Sequence, residues 1–315
     1  MIIGKNYNFT EAELLSSDGI HKLYAEIYTP RYRTARGIVQ LSHGMVDYVG
    51  RYEELANYLT GEGYIFAGNH HLGHGKTARD ESEFGFFAPS DGVSYVVRDL
   101  HRMNRFLRDT FPTLPVFMMG HSMGSFLARL YVAKYPHTVK GAIIHGTAGR
   151  NPVAGLGIGI AKLVAQTKGP RHRSKLLHSL TTGPYNKKFD KSEGTCAWLS
   201  RDREALASHD SDPYSTFLFT ASGYTDLMRM LRDCNSRQWF MKYPKHTPTL
   251  IMSGECDPVG AFGKGPRYVY KHLMIAGHEQ LEIKTYEGAR HELFLETNRE
   301  EVFSDILAWL DKNLD

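Results

Sequence analysis

Pro115-Val116-Phe117-Met118-Met119-Gly120-His121-Ser122-Met123-Gly124 decides how this chain is read. Pro115 to Met119 is an apolar run of strand length. Beyond Gly124, Phe126, Leu127, Leu130 and Tyr131 recur at helical spacing. The stretch therefore reads as a strand, a sharp turn and a helix, with Ser122 at the turn. Such a turn strains the backbone of its central residue and brings strand and helix so close that the flanking positions must be small, which Gly120 and Gly124 satisfy. A G-x-S-x-G pattern also occurs in ordinary glycine-rich loops, so the reading of Ser122 as a nucleophile depends on its partners.

A serine hydroxyl needs an imidazole to take its proton and a carboxylate to orient that imidazole. Downstream, Thr249 to Met252 reads as a buried parallel strand running into Ser253-Gly254-Glu255-Cys256-Asp257-Pro258. Asp257 falls just past the strand's C-terminal end, where open α/β sheets place functional groups. Glu255 is the rival carboxylate, closer to the strand body, and Asp257 is preferred. Leu281 to Tyr286 forms the next strand, followed by a loop that ends in Arg290-His291. A histidine there completes the chain order serine, acid, histidine. Upstream, the strand Ile38 to Leu41 runs into Ser42-His43-Gly44-Met45, and the N–H groups of Met45 and Met123 are the natural pair of oxyanion donors. His43 is a possible substrate contact, but its expected task is to shape that loop through backbone hydrogen bonds.

These motifs, together with Arg51-Tyr52, Gly73-His74-Gly75 and Gly85-Phe86-Phe87-Ala88-Pro89, resemble the α/β hydrolases of the monoacylglycerol lipase and lysophospholipase group, which includes serine aminopeptidase S33-type enzymes. The resemblance spans nearly the whole chain apart from its middle. It implies the α/β-hydrolase fold, a Ser122–His291–Asp257 triad, oxyanion donors at Met45 and Met123, and a small-molecule acyl ester as substrate. One departure is His70, where the family commonly has Asp; this touches loop geometry and leaves the triad alone.

Around the motifs, residues Tyr7 to Tyr28 suggest two antiparallel strands about Ser17-Asp18-Gly19. Parallel strands near Ile38, Tyr64, Val116, Ala142, Leu250 and Leu281 alternate with helices, among them Val93 to Leu107 and a last helix capped by Thr297 or Asn298. That alternation specifies a mostly parallel sheet covered on both faces. The core is expected in residues 1–146 and 245–315. Residues 147–244 are too long for a crossover and read as a helical cap. Within it Gly155 to Ala165 is apolar on several sides, and Leu156 and Ile160 are expected to line an acyl pocket with aromatic surface from Trp198, Tyr214, Phe217, Phe219 and Tyr224. Lys168, Arg171, His172, Arg173 and Lys175 form a basic patch suited to transient contact with a membrane surface.

A net charge of +4 from 38 basic and 34 acidic residues gives no argument for nucleic acid. Cys196, Cys234 and Cys256 are odd in number and widely spaced, which reads as free thiols in a reducing compartment. Met1 to Phe9 lacks the apolar stretch of a signal peptide, and the chain has no membrane-spanning run, so a cytoplasmic protein is expected. Gly75-Lys76-Thr77 ends like a phosphate loop, but His70 stands where that motif needs glycine, and His291-Glu292 lacks the second histidine of H-E-x-x-H. No metal and no cofactor are assigned. The rival readings are an aminopeptidase, which would need acidic cap residues such as Glu193, Glu204 and Asp210 to gather, and a non-catalytic receptor or scaffold on the same fold.

Overall fold

The sheet that carries these motifs has eight strands, and its topology follows from which strands are buried on both faces. The computed structural model describes residues 5–314; residues 1–4, the start of the segment read for a signal peptide, lie outside them. In chain order the strands are β1 (Tyr7–Leu15), β2 (Lys22–Pro30), β3 (Gly37–Ser42), β4 (Tyr64–Asn69), β5 (Val116–His121), β6 (Gly141–His145), β7 (Thr249–Gly254) and β8 (Leu281–Tyr286). They lie in the order β1-β2-β4-β3-β5-β6-β7-β8. The β1–β2 and β2–β4 pairings are antiparallel and the rest parallel. The β1–β2 hairpin turns where expected, with Gly19 at φ 75° and Asp18 accepting the N–H groups of Ile20 and His21.

The helices are α1 (Glu53–Gly61), α2 (Gly92–Thr110), α3 (Met123–Lys134), α4 (Ala154–Lys168), α5 (Lys175–Thr181), α6 (Arg203–Ser211), α7 (Ala221–Asp233), α8 (Arg237–Lys242), α9 (Lys264–Ile275) and α10 (Arg299–Lys312). Strand alternation divides the core. Met118, Ala142 and Ile144 meet Val96, Leu100, Phe126, Leu127, Val269 and Leu273 of α2, α3 and α9 on one face. Phe117, Met119 and Ile143 meet Leu55, Leu59, Val302, Ile306 and Leu310 of α1 and α10 on the other. Both faces of β3 to β7 are thus covered, which is why those strands read as continuous apolar runs.

Two local expectations are adjusted. Helix α2 extends beyond Val93–Leu107 at both ends. Asn298 occupies the cap position of α10 without capping it: its Oδ1 accepts from Arg201 and its Nδ2 donates to Glu301. The stretch between β6 and β7 is helical, holding α4 to α8. It is anchored through Arg129 of α3, whose fully buried guanidinium donates to Thr147 Oγ1, Ala148 O and Asn235 Oδ1 and lies 4.4 Å from the Trp239 ring. Among the described residues no helix is long and apolar enough to cross a membrane.

Candidate active site

Ser122 sits between the end of β5 and the start of α3 with φ 54° and ψ −120°, a conformation that non-glycine residues adopt only when their surroundings force it. The forcing is visible. A Cβ on Gly124 would lie 1.9 Å from the Ser42 carbonyl oxygen, and one on Gly120 would lie 2.4 Å from the Gly124 carbonyl oxygen, so no larger residue fits at either position. Ser122 N–H donates to His145 O at 3.0 Å, and Ser125 N–H and Oγ both donate to Ser122 O. The main chain is held, and the half-buried side chain is left at the carboxyl edge of the sheet.

Asp257 and His291 arrive at the same edge. Asp257 is fully buried in the loop after β7, His291 is 1% exposed in the loop after β8, and Asp257 Oδ1 lies 3.0 Å from His291 Nδ1. Asp257 Oδ1 also accepts the Val259 N–H, which fixes the carboxylate. Glu255, the rival carboxylate, is exposed and accepts the Gly288 N–H instead. The side chain at 257 points inward because the chain turns twice between Gly254 and Gly260, a detail that strand length alone does not reveal.

The loop after β3 faces the serine. A Cβ on Gly44 would meet Ser122 Cβ at 3.5 Å. Met45 follows Gly44, and Met123 opens α3, where an N–H has no intrahelical acceptor. Among the described residues neither N–H donates to a protein group. His43 is fully buried, its Nδ1 bonded to Gly44 O and its Nε2 accepting the His71 N–H, both at 2.9 Å. Burial, aided by His71 and His74, holds its pKa well below the ordinary histidine range, so the ring is neutral. Both ring nitrogens are therefore bonded to backbone groups. His70 pairs with Glu26 at 3.0 Å and accepts the Lys76 N–H. His71 and His74 are driven by burial to about 3 and about 4.

A buried polar network, missed in the sequence apart from its Arg51-Tyr52 members, connects the three loops. Asp47 Oδ2 accepts the Gly44 N–H at 2.9 Å and the Tyr52 hydroxyl at 2.6 Å. Tyr52 Oη also lies 2.8 Å from His121 Nδ1, next to the serine. Arg51 donates to Asp47 Oδ1 at 3.2 Å and, through both terminal nitrogens, to the two oxygens of Glu292 at 2.8 Å. Glu292 follows His291. Burial would raise both carboxyls, but Arg51 overrides it, leaving Asp47 well below its ordinary value and Glu292 lowered. A sequence signal did exist, in Asp47 four residues before Arg51, but the Glu292 partner is 241 residues away.

The helical stretch between β6 and β7 meets this edge through residues 197–200. Ala197 O accepts from Arg290 Nη1 at 2.6 Å, Trp198 O from His291 N–H at 3.3 Å, and Leu199 O from Glu292 N–H at 2.7 Å. The Trp198 ring stands 5.2 Å from the His291 ring, and Tyr185 stands 5.0 Å from Trp198. Of the other aromatic residues expected at an acyl pocket, Tyr214 stands 5.7 Å from Tyr48. Phe219 and Tyr224 are buried in the core cluster, and Phe217 stacks on Phe84 at 4.8 Å. Leu156 is 67% exposed, while Ile160 is half-buried against the core. A cavity of about 430 Å³ lined by Lys162, Ser222, Asp226 and Arg229 lies between α4 and α7, and none of Ser122, Asp257 and His291 lines it.

Residues 33–298 match the profile of the family described as serine aminopeptidase, S33. The human monoglyceride lipase is 29% identical over 95% of this chain and 89% of its own. The monoacylglycerol lipase of Mycolicibacterium smegmatis is 25% identical over 94% and 95%. Among solved structures, a thermostable carboxyl esterase from Bacillus coagulans superposes with a TM-score of 0.90 at 29% identity, covering 98% of this chain and 99% of that one.

Proposed function

We propose that this chain, which belongs to the serine aminopeptidase S33 family, is a serine hydrolase that cleaves carboxylic esters of the monoacylglycerol and lysophospholipid type through an acyl-enzyme on Ser122. The observation that carries the reading is Ser122 at φ 54° on a turn no larger neighbour would allow, at the same sheet edge as a buried Asp257–His291 pair 3.0 Å apart. Similarity to monoacylglycerol lipases over most of the chain supports the ester class.

In the proposed mechanism Ser122 Oγ attacks the ester carbonyl carbon while His291 Nε2 takes the hydroxyl proton. Asp257 keeps the His291 proton on Nδ1 and stabilises the imidazolium that forms. The N–H groups of Met45 and Met123 receive the negative charge on the former carbonyl oxygen. His291 then protonates the departing alcohol, and a water activated by the same imidazole releases the acid. An aminoacyl substrate would want an acidic cluster for its amine, but Glu193 is paired with Arg290 at 2.7 Å, and Glu204 is exposed.

Residues 147–244 act as the cap in this reading. Exposed Leu156, Leu163, Leu176 and Leu180 beside Lys168, Arg171 and Lys175 suit contact with a lipid surface, from which an acyl chain would enter. Three free cysteines fit a cytoplasmic setting. Labelling with a fluorophosphonate, followed by hydrolysis of p-nitrophenyl esters from acetyl to palmitoyl beside monoacylglycerol and aminoacyl anilide, tests the proposal. Label on Ser122 and preference for acyl esters are expected; an unlabelled protein, or faster anilide cleavage, would overturn it.

A further inference from the structure

One thiol, one imidazole and one carboxylate converge on the insertion, outside the site described above. Cys196, His209 and Asp210 each direct one ligand atom to a common point, all within 4.8 Å of one another. They come from two pieces of chain, Cys196 from the loop before α6 and the other two from the last turn of α6. Asp210 holds the three together, bonded to the Cys196 thiol as well as to the His209 ring. Cys196 Sγ has the Thr195 hydroxyl at 3.9 Å, and His209 Nδ1 has Asp210 Oδ1 at 3.1 Å. Cys196 and His209 are half-buried and Asp210 is exposed, which leaves a way in from solvent with the sulfur and nitrogen on the inner side.

We propose that Cys196, His209 and Asp210 form a site for a single zinc-class divalent cation, and that the bound ion, by tying Cys196 to α6, restrains the 197–199 strip that covers the His291 loop. A thiolate and an imidazole select zinc or cobalt over magnesium or calcium, and three protein ligands with a water in the fourth position make a stable tetrahedral set. Metal–ligand bonds of about 2.0–2.3 Å put such ligand atoms roughly 3.3–3.8 Å apart, so the observed spread closes with side-chain shifts on the order of 1 Å. On binding, the Cys196 S–H proton passes to solvent, the sulfur electron pair makes the metal bond, and the ion gives up waters to the three ligands. The restraint follows from connectivity. Immediately after Cys196, residues 197–199 accept hydrogen bonds from Arg290, His291 and Glu292, so fixing Cys196 to α6 restrains the strip that covers the histidine loop.

The test is titration of the metal-free full chain with Co²⁺. Expected is a near-ultraviolet thiolate-to-cobalt charge-transfer band that saturates at one equivalent and is displaced by Zn²⁺. It should vanish in Cys196→Ser and persist in Cys234→Ser and Cys256→Ser. His209→Gln and Asp210→Asn, both at the accessible end of α6, should each weaken binding by at least about tenfold. No band, or a band that survives Cys196→Ser, would overturn the site. Amide hydrogen exchange at residues 197–200 and 290–292 should slow on adding Zn²⁺ to the parent and stay unchanged in Cys196→Ser; unaltered exchange in a parent that binds cobalt would overturn the restraint. Neither readout uses turnover, so failure here is separate from failure of the hydrolase reading.

Discussion

Replacing Arg51 with methionine removes the guanidinium that bridges two buried carboxylates while keeping most of the side-chain volume. In the parent, the guanidinium is bonded at 2.8 Å to both oxygens of Glu292 and at 3.2 Å to Asp47. Breaking a buried pair by removing one partner costs about 3–5 kcal/mol, because an unpaired charge is left in a poor dielectric. An unfolding entropy of about 2.1 cal/mol/K per residue over 315 residues makes each kcal/mol worth roughly 1.5 °C, so the melting temperature should fall by about 5–8 °C. The pH dependence is the sharper test. In the parent both carboxyls have folded pKa values below their unfolded ones. Their contribution is therefore complete above the unfolded carboxylate range, near pH 4, and is lost as pH falls through the folded values. In Arg51→Met burial loses the largest influence that opposes it, while Asp47 keeps its bonds from Gly44, Tyr48 and Tyr52; the folded values rise, most of all at Glu292, and the variant should gain stability relative to the parent as pH falls from 8 to 5.5. Urea unfolding at four pH values across that range measures it. A loss under about 1 kcal/mol, or a difference from the parent that does not change with pH, would refute the account of this network.

Ser122→Ala and His291→Ala should each lower ester turnover by several powers of ten, and the double variant by little more, because a nucleophile and its base act as a unit; multiplicative losses in steady-state kinetics would separate them. Asp257→Asn should impair turnover by orders of magnitude and Glu255→Gln by less than about threefold, since the structure sets Asp257 and not Glu255 against His291. Gly124→Ala should yield little folded protein on expression and circular dichroism, given a Cβ 1.9 Å from Ser42 O. Leu156→Ser, at a 67% exposed position, should slow hydrolysis of vesicle-borne monoacylglycerol severalfold and leave soluble acetyl ester unchanged.

The central strands were legible in the residues themselves. The apolar runs at Ile38, Tyr64, Val116, Ala142 and Leu250 are strands buried on both faces, and burial on both faces is what an uninterrupted apolar run records. The sequence also marked the turn at Ser122, because steric demand at Gly120 and Gly124 is local and leaves glycine as its trace. The features that could not be read there depend on contacts between distant segments. Asp47, Arg51, Tyr52, His121 and Glu292 are unremarkable in isolation, and they become a network because the ends of β3, β5 and β8 lie along one edge. The sheet order similarly brings Asp257 to His291 and turns Glu255 away. In the insertion the same reason works against sequence reading. Phe219 and Tyr224, apolar and aromatic like Trp198, are spent in the core, while Trp198 reaches His291. Composition states that a side chain prefers burial, and only packing says against what.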